Sequence, residues 1–89
     1  MKALHIIVSG KVHGVSFRAF ARECALRHKI NGTVRNLPTN EVEIIAEGDE
    51  QNIEQFISEI KLGSPGSSVA KIRTLDIGMQ SFADFKVLK

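Results

Sequence analysis

The most chemically suggestive residues fall in one short run, Gly10-Lys11-Val12-His13-Gly14-Val15-Ser16-Phe17-Arg18. A strand pattern leads in, two glycines punctuate the middle, and Arg18 sits on the first turn of the helix expected next. Unpaired backbone N–H groups at a helix start favour an anion, and the helix dipole adds to them. Glycines let the backbone approach a phosphate closely or adopt the positive φ that a cradle needs. A guanidinium supplies forked donors matched to phosphate oxygens. The run therefore reads as an anion cradle, although a tight turn with a surface arginine would be spelled the same way. It is not a Walker loop, because it has no Gly-Lys-Ser/Thr ending to supply a lysine and a magnesium-binding hydroxyl. It is not a dinucleotide fingerprint either, since Gly10 and Gly14 are four apart and no third glycine follows.

The remaining reactive side chains point elsewhere. His5, His13 and His28 lack metal-ligand spacing and there is no cysteine pair, so neither a metal nor another cofactor is expected. Cys24 lies on an apolar helix stripe and reads as a small core residue rather than a nucleophile. Ser9 and Ser16 have no evident His–Asp partner set. The acids between Glu41 and Glu59 read as a solvated face. Arg35 is expected on the sheet face opposite its neighbour Asn36.

With 89 residues, the chain has room for one domain, taken as 1–89, with a radius of gyration of roughly 12 Å. This size excludes a two-domain enzyme or a TIM barrel. Charge is distributed unevenly. Residues 1–36 balance to +6, 37–60 to −7 and 61–89 to +3. A basic first third suits a small anionic ligand, whereas the modest net charge of +2 argues against a nucleic-acid partner. No unbroken apolar run is longer than the three residues of Ile6–Val8, so no membrane association or secretory leader is expected. The single cysteine fits a reducing compartment, and a cytoplasmic monomer is the resulting expectation.

The elements that must position the cradle follow from periodicity. Leu4, Ile6 and Val8 alternate within a strand over Ala3–Ser9. Ser16 is the expected N-cap of a helix over about Phe17–Lys29, with Phe17, Phe20, Ala21, Cys24 and Ala25 as its apolar stripe. Asn31-Gly32 reads as a helix-ending signal. Strands over Thr33–Leu37 and Glu41–Glu47 flank the turn Pro38-Thr39-Asn40. Asp49 opens a second helix over about Glu50–Leu62, with Ile53, Phe56, Ile57 and Ile60 on one face. Strands over Val69–Ile77 and Phe82–Leu88 complete the order. A split β-α-β pair places both right-handed crossovers on one side. The expected architecture is therefore an α+β, ferredoxin-like β-α-β-β-α-β sandwich, with two helices on one face of a mainly antiparallel sheet and the last strand at its edge.

Residues Gly10 to Arg18 resemble the first signature of the acylphosphatase family, Gly-x-Val-Gln-Gly-Val-x-Phe-Arg. Gly32-Thr33-Val34-Arg35-Asn36, with Val42 and Gly48 downstream, resembles the second. The likeness extends along the chain in length, element order and the Gly-Ser-Pro loop before the fourth strand. It implies metal-independent hydrolysis of small acyl phosphates to a carboxylate and inorganic phosphate, which would also inhibit as product. It further implies that Arg18 and Asn36 form the catalytic pair. Arg18 would bind the phosphoryl group together with the loop of His13, Gly14, Val15, Ser16 and Phe17, and Asn36 would hold the attacking water. Three residues depart from the pattern: His13 stands for Gln, Thr33 for an aromatic and Asn40 for Gly. Asn tolerates left-handed backbone, so Asn40 should be mild. An imidazole at 13 facing the cradle would add a titrating group beside the phosphate, and one facing away would not. A non-catalytic phosphate-binding or regulatory module on the same fold is the alternative. A single-strand RNA binder shares the element order but needs sheet-face aromatics where Glu41–Glu47 places carboxylates.

Overall fold

The computed structural model describes all 89 residues, with a radius of gyration of 11.6 Å. Five strands form one sheet: β1 (Lys2–Lys11), β2 (Asn31–Asn36), β3 (Val42–Gly48), β4 (Ser68–Ile77) and β5 (Phe85–Val87). Helix α1 (Phe17–Arg27) connects β1 to β2, and α2 (Glu50–Leu62) connects β3 to β4. The strand order is β4-β1-β3-β2-β5, antiparallel throughout except for the parallel β2–β5 pair. This is the expected sandwich, with the fifth strand at the edge. No helix is long and apolar enough to cross a membrane.

The period-two pattern forms the core. Leu4, Ile6 and Val8 of β1 lie opposite Ala46, Ile44 and Val42 of β3, and all six are buried. Against this layer α1 places Phe17, Ala21, Cys24 and Ala25, and α2 places Ile53, Phe56 and Ile60. Eighteen apolar residues are buried, and each buried Val, Leu, Ile or Phe side chain contributes about 1.5–3 kcal/mol by leaving water.

Several boundaries move for physical reasons. Strand β1 runs on to Lys11 past an irregularity at Ser9/Gly10, because β4 continues to pair with it there. Helix α1 stops at Arg27 with Lys29 in the left-handed region (φ 56°), and the Ile30 N–H reaches back to the Ala25 carbonyl at 2.8 Å. Lys29 is thus the helix-ending residue, and Asn31-Gly32 begins β2 instead. Asn40 does adopt positive φ, at 67°.

The acids are also corrected. The middle of the chain is not simply a solvated face. Glu47 is buried, and its carboxylate accepts the backbone N–H groups of Gln80, Ser81 (3.2 Å) and Phe82 (2.9 Å). Glu43 is hydrogen-bonded to both His5 and Arg35 at 2.9 and 2.8 Å. Glu59 binds Arg27 and His28 across the helix pair. Acidic and basic thirds that are far apart in sequence thus neutralise each other in space.

Candidate active site

Strands β1 and β2 are parallel through their shared neighbour β3, so their C-terminal ends emerge at the same edge of the sheet. Val8 and Asn36 both lie opposite Val42, so Asn36 stands in the cross-strand row from which β1 runs out into the loop. Alternation turns Asn36 to the helix-covered face with Val34, and sends Arg35 to the other face, where Nε donates to Glu43 at 2.8 Å. A cavity of about 380 Å³ opens at this edge, lined by Gly14, Ser16, Phe17, Arg18, Asn36 and Val87, among others.

The loop leaves a run of backbone donors open. Gly14 has φ 70° and Ser16 has φ 57°, so two left-handed residues bend the chain into the first turn of α1. Ser16 occupies the N-cap position, but its side chain caps nothing. A capping hydroxyl needs an extended backbone, and left-handed dihedrals turn it away. The N–H groups of Gly14 through Ala19 donate to no backbone carbonyl, and the helix dipole points the same way. Gly10 serves a different purpose from the expected close approach to phosphate. It lies within β1 at φ 125°, where a Cβ would come within 2.2 Å of the Ser68 carbonyl oxygen.

Two side chains complete the cavity. Arg18 takes part in none of the seven ion pairs, and Nη1 donates to the Leu88 carbonyl at 2.8 Å. Its remaining donors face no acid. Asn36 Oδ1 is buried and accepts no hydrogen bond, alone among the buried side-chain nitrogens and oxygens. Leaving such an acceptor dry costs about 1–3 kcal/mol.

Arg18, Asn36, Gly14, Ser16 and Phe17 thus come together in one cavity wall. Two expected residues do not. Val15 is turned toward a neighbouring groove. The His13 ring lies outside the cavity, and its Nε2–H donates to the Glu41 carbonyl at 2.8 Å.

Sequence reasoning missed Glu41. Its carboxylate accepts Ser9 Oγ at 2.7 Å, Thr39 Oγ1 at 2.9 Å and an Arg73 N–H at 3.1 Å. The Ser9 and Thr39 bonds hold that carboxyl below its ordinary range. One residue therefore ties β1, β4, the β2–β3 turn and, through its carbonyl, the cradle loop. The alternation that marks Glu41 as outward-facing gives no hint of these partners.

Cys24 is no competing nucleophile. Burial, and then the nearby Glu59 charge, pushes its thiol up to about 11, so it stays protonated at neutral pH.

The acylphosphatase family model matches residues 4–87. An acylphosphatase of Pseudothermotoga lettingae is 38% identical over 88 residues, covering 99% of both chains. The crystal structure of acylphosphatase from Bacillus subtilis superposes with a TM-score of 0.98 at 36% identity, over the whole of both chains. Full-length HypF in its phosphate- and nucleotide-bound form contains a similar unit, with a TM-score of 0.92 and 34% identity. This chain spans 12% of that one. With the fold, both signature segments and the match over nearly its whole length in agreement, the chain belongs to the acylphosphatase family of hydrolases.

Proposed function

We propose that this chain hydrolyses small acyl phosphates by in-line attack of a water held by Asn36 on a phosphoryl group seated at the start of α1. The observation that carries the reading is the unpartnered, buried Asn36 Oδ1 in the same cavity wall as Arg18 and the free N–H groups. A carboxamide in the cavity wall can hold a water by a hydrogen bond and leave a lone pair on the water oxygen to attack phosphorus. The backbone N–H groups of Gly14 to Arg18 and the Arg18 guanidinium neutralise the equatorial oxygens. His13 and Val15 contribute backbone and loop shape rather than side-chain contacts.

The chemistry asks little more. The bond from phosphorus to the acyl oxygen breaks as the bond to water oxygen forms. The carboxylate departs as a stable anion that needs no acid. The water proton passes to a phosphoryl oxygen or to solvent, since the cavity wall holds no carboxylate or imidazole. Positioning and charge stabilisation therefore supply the rate.

Steady-state hydrolysis of acetyl or benzoyl phosphate tests this directly. Asn36→Ala should lower kcat about 100-fold, roughly 3 kcal/mol of lost positioning, with phosphate affinity nearly unchanged. A folded variant that keeps more than half the wild-type rate would refute the water-holding role. A wild-type protein that binds phosphate and hydrolyses neither substrate would refute the reading as a whole.

A further inference from the structure

A second groove, of about 340 Å³, opens beside the cradle between α1 and the loop after α2. Val15, Phe20 and Pro65 form its apolar walls, and Glu23 is its one ionisable residue. Ser16 and Ala19 line both hollows, so the groove begins where the cradle ends. Asn36 and Val87 line only the cradle cavity, and Phe20 and Pro65 only the groove. Helix α1 packs on β2 and β5 along one side and on α2 along another. Its first turn therefore stands between Asn36 and the groove.

In-line displacement places the leaving oxygen across the phosphorus from the attacking water. With water at Asn36, the acyl group leaves on the side of the phosphoryl group away from Asn36, and the groove adjoins the cradle through Ser16 and Ala19. We propose that this groove is the acyl subsite and that it selects uncharged, apolar acyl groups over those bearing a second carboxylate. The proposal rests on the water-at-Asn36 reading above. The groove's walls are held in place. The Phe20 ring is half-buried and tilted against Phe17, with centroids 5.7 Å apart. On the other side the Ser64 hydroxyl donates to the Val15 carbonyl at 3.2 Å, and Ser67 Oγ donates to the Ser64 carbonyl at 2.7 Å. Pro65 adds a fixed φ. Glu23 is exposed and joins no ion pair, so its charge is free to repel an anionic acyl tail.

The test compares kcat/KM for acetyl, benzoyl and succinyl phosphate in wild type, Phe20→Ala and Glu23→Lys, with the phosphate inhibition constant alongside. Ratios are compared between proteins, so the intrinsic reactivities of the substrates cancel. Phe20→Ala should lower the benzoyl-to-acetyl ratio about tenfold, while phosphate inhibition holds within about twofold. Glu23→Lys changes an exposed helix position outside the core, so it tests the idea even if Phe20→Ala fails to fold. It should raise the succinyl-to-acetyl ratio at least about fivefold, with the gain fading at high salt. Ratios that stay at wild-type values in the folded variants would overturn the acyl subsite and leave the cradle reading standing. A wild-type protein that hydrolyses none of the three would overturn both.

Discussion

Arg18 is oriented by the far end of the chain: its Nη1 donates to the backbone carbonyl of Leu88, seventy residues away, at 2.8 Å. Leu88 is itself hung on β2, its N–H donating to the Val34 carbonyl at 2.8 Å, two residues before Asn36. The guanidinium and the amide of the candidate site thus share one scaffold. This geometry predicts that Arg18→Ala removes both phosphate affinity and turnover. Arg18→Lys should rescue poorly, because a point charge cannot both hold the Leu88 carbonyl and fork two phosphate oxygens. Phosphate inhibition constants beside kcat check it, and a lysine variant with near wild-type kcat/KM would contradict it.

Inorganic phosphate and sulfate should inhibit competitively, since both fill the cradle without offering a leaving group. The rate should persist in excess chelator, because the cavity wall offers no carboxylate or imidazole ligand set. Loss of activity on chelation with recovery on adding a divalent ion would refute the second expectation. Non-competitive inhibition would refute the first.

His13 should not tune phosphate binding. Its ring is engaged by the Glu41 carbonyl outside the cavity, and a glutamine amide can make the same donation. Phosphate inhibition profiles of wild type and His13→Gln from pH 5 to 8 should therefore superimpose. A divergence confined to the acid side would place the imidazole beside the anion.

Glu47 should act on the site from a distance. Its carboxylate takes three consecutive N–H groups of the segment leading into β5, and β5 carries the chain to Leu88. Glu47→Ala strands those donors in a buried place and should cost about 2–4 kcal/mol. Glu47→Gln keeps one acceptor oxygen but loses the charge and sets its amide N–H against a backbone donor, so it should be destabilising too, though less than Glu47→Ala. Denaturant unfolding of both variants measures the difference. Amide exchange should quicken at residues 80–88 before the rest of the sheet.

Glu59 sets an acid limb of stability. The hydrogen bond from Arg27, then that from His28, holds its carboxyl down at about 2. A carboxyl lowered on folding stabilises the fold above its unfolded pKa, and that contribution is lost as pH falls. Wild-type stability should decline between about pH 4.5 and pH 2 as this group protonates. Glu59→Gln should lower the Tm by a few degrees at pH 7, and the gap to wild type should close near pH 2. A gap that stays constant across this range would rule out the linkage.

The sequence by itself determined the elements and the chemistry of the loop. Alternation in Leu4-Ile6-Val8, the stripe from Phe17 to Ala25 and the face of Ile53, Phe56 and Ile60 are local signals, repeating within two to four residues. Gly14 and Arg18 could be read together because they belong to one turn. What only the tertiary structure decided lies between residues far apart in the chain. Whether Asn36 meets Arg18 depends on the register of β2 against β3 and of β3 against β1, and a one-residue slip would send Asn36 to the face Arg35 occupies. The same holds for Glu47, which alternation assigns to the outer face. It is buried only because the segment before β5 folds over it and offers three N–H groups. Ser16 takes the expected N-cap position, yet its side chain caps nothing for a related reason. Its type favours capping, but the bend forced by the loop's return to the sheet edge sets its backbone left-handed, and that leaves the first-turn N–H groups open for an anion.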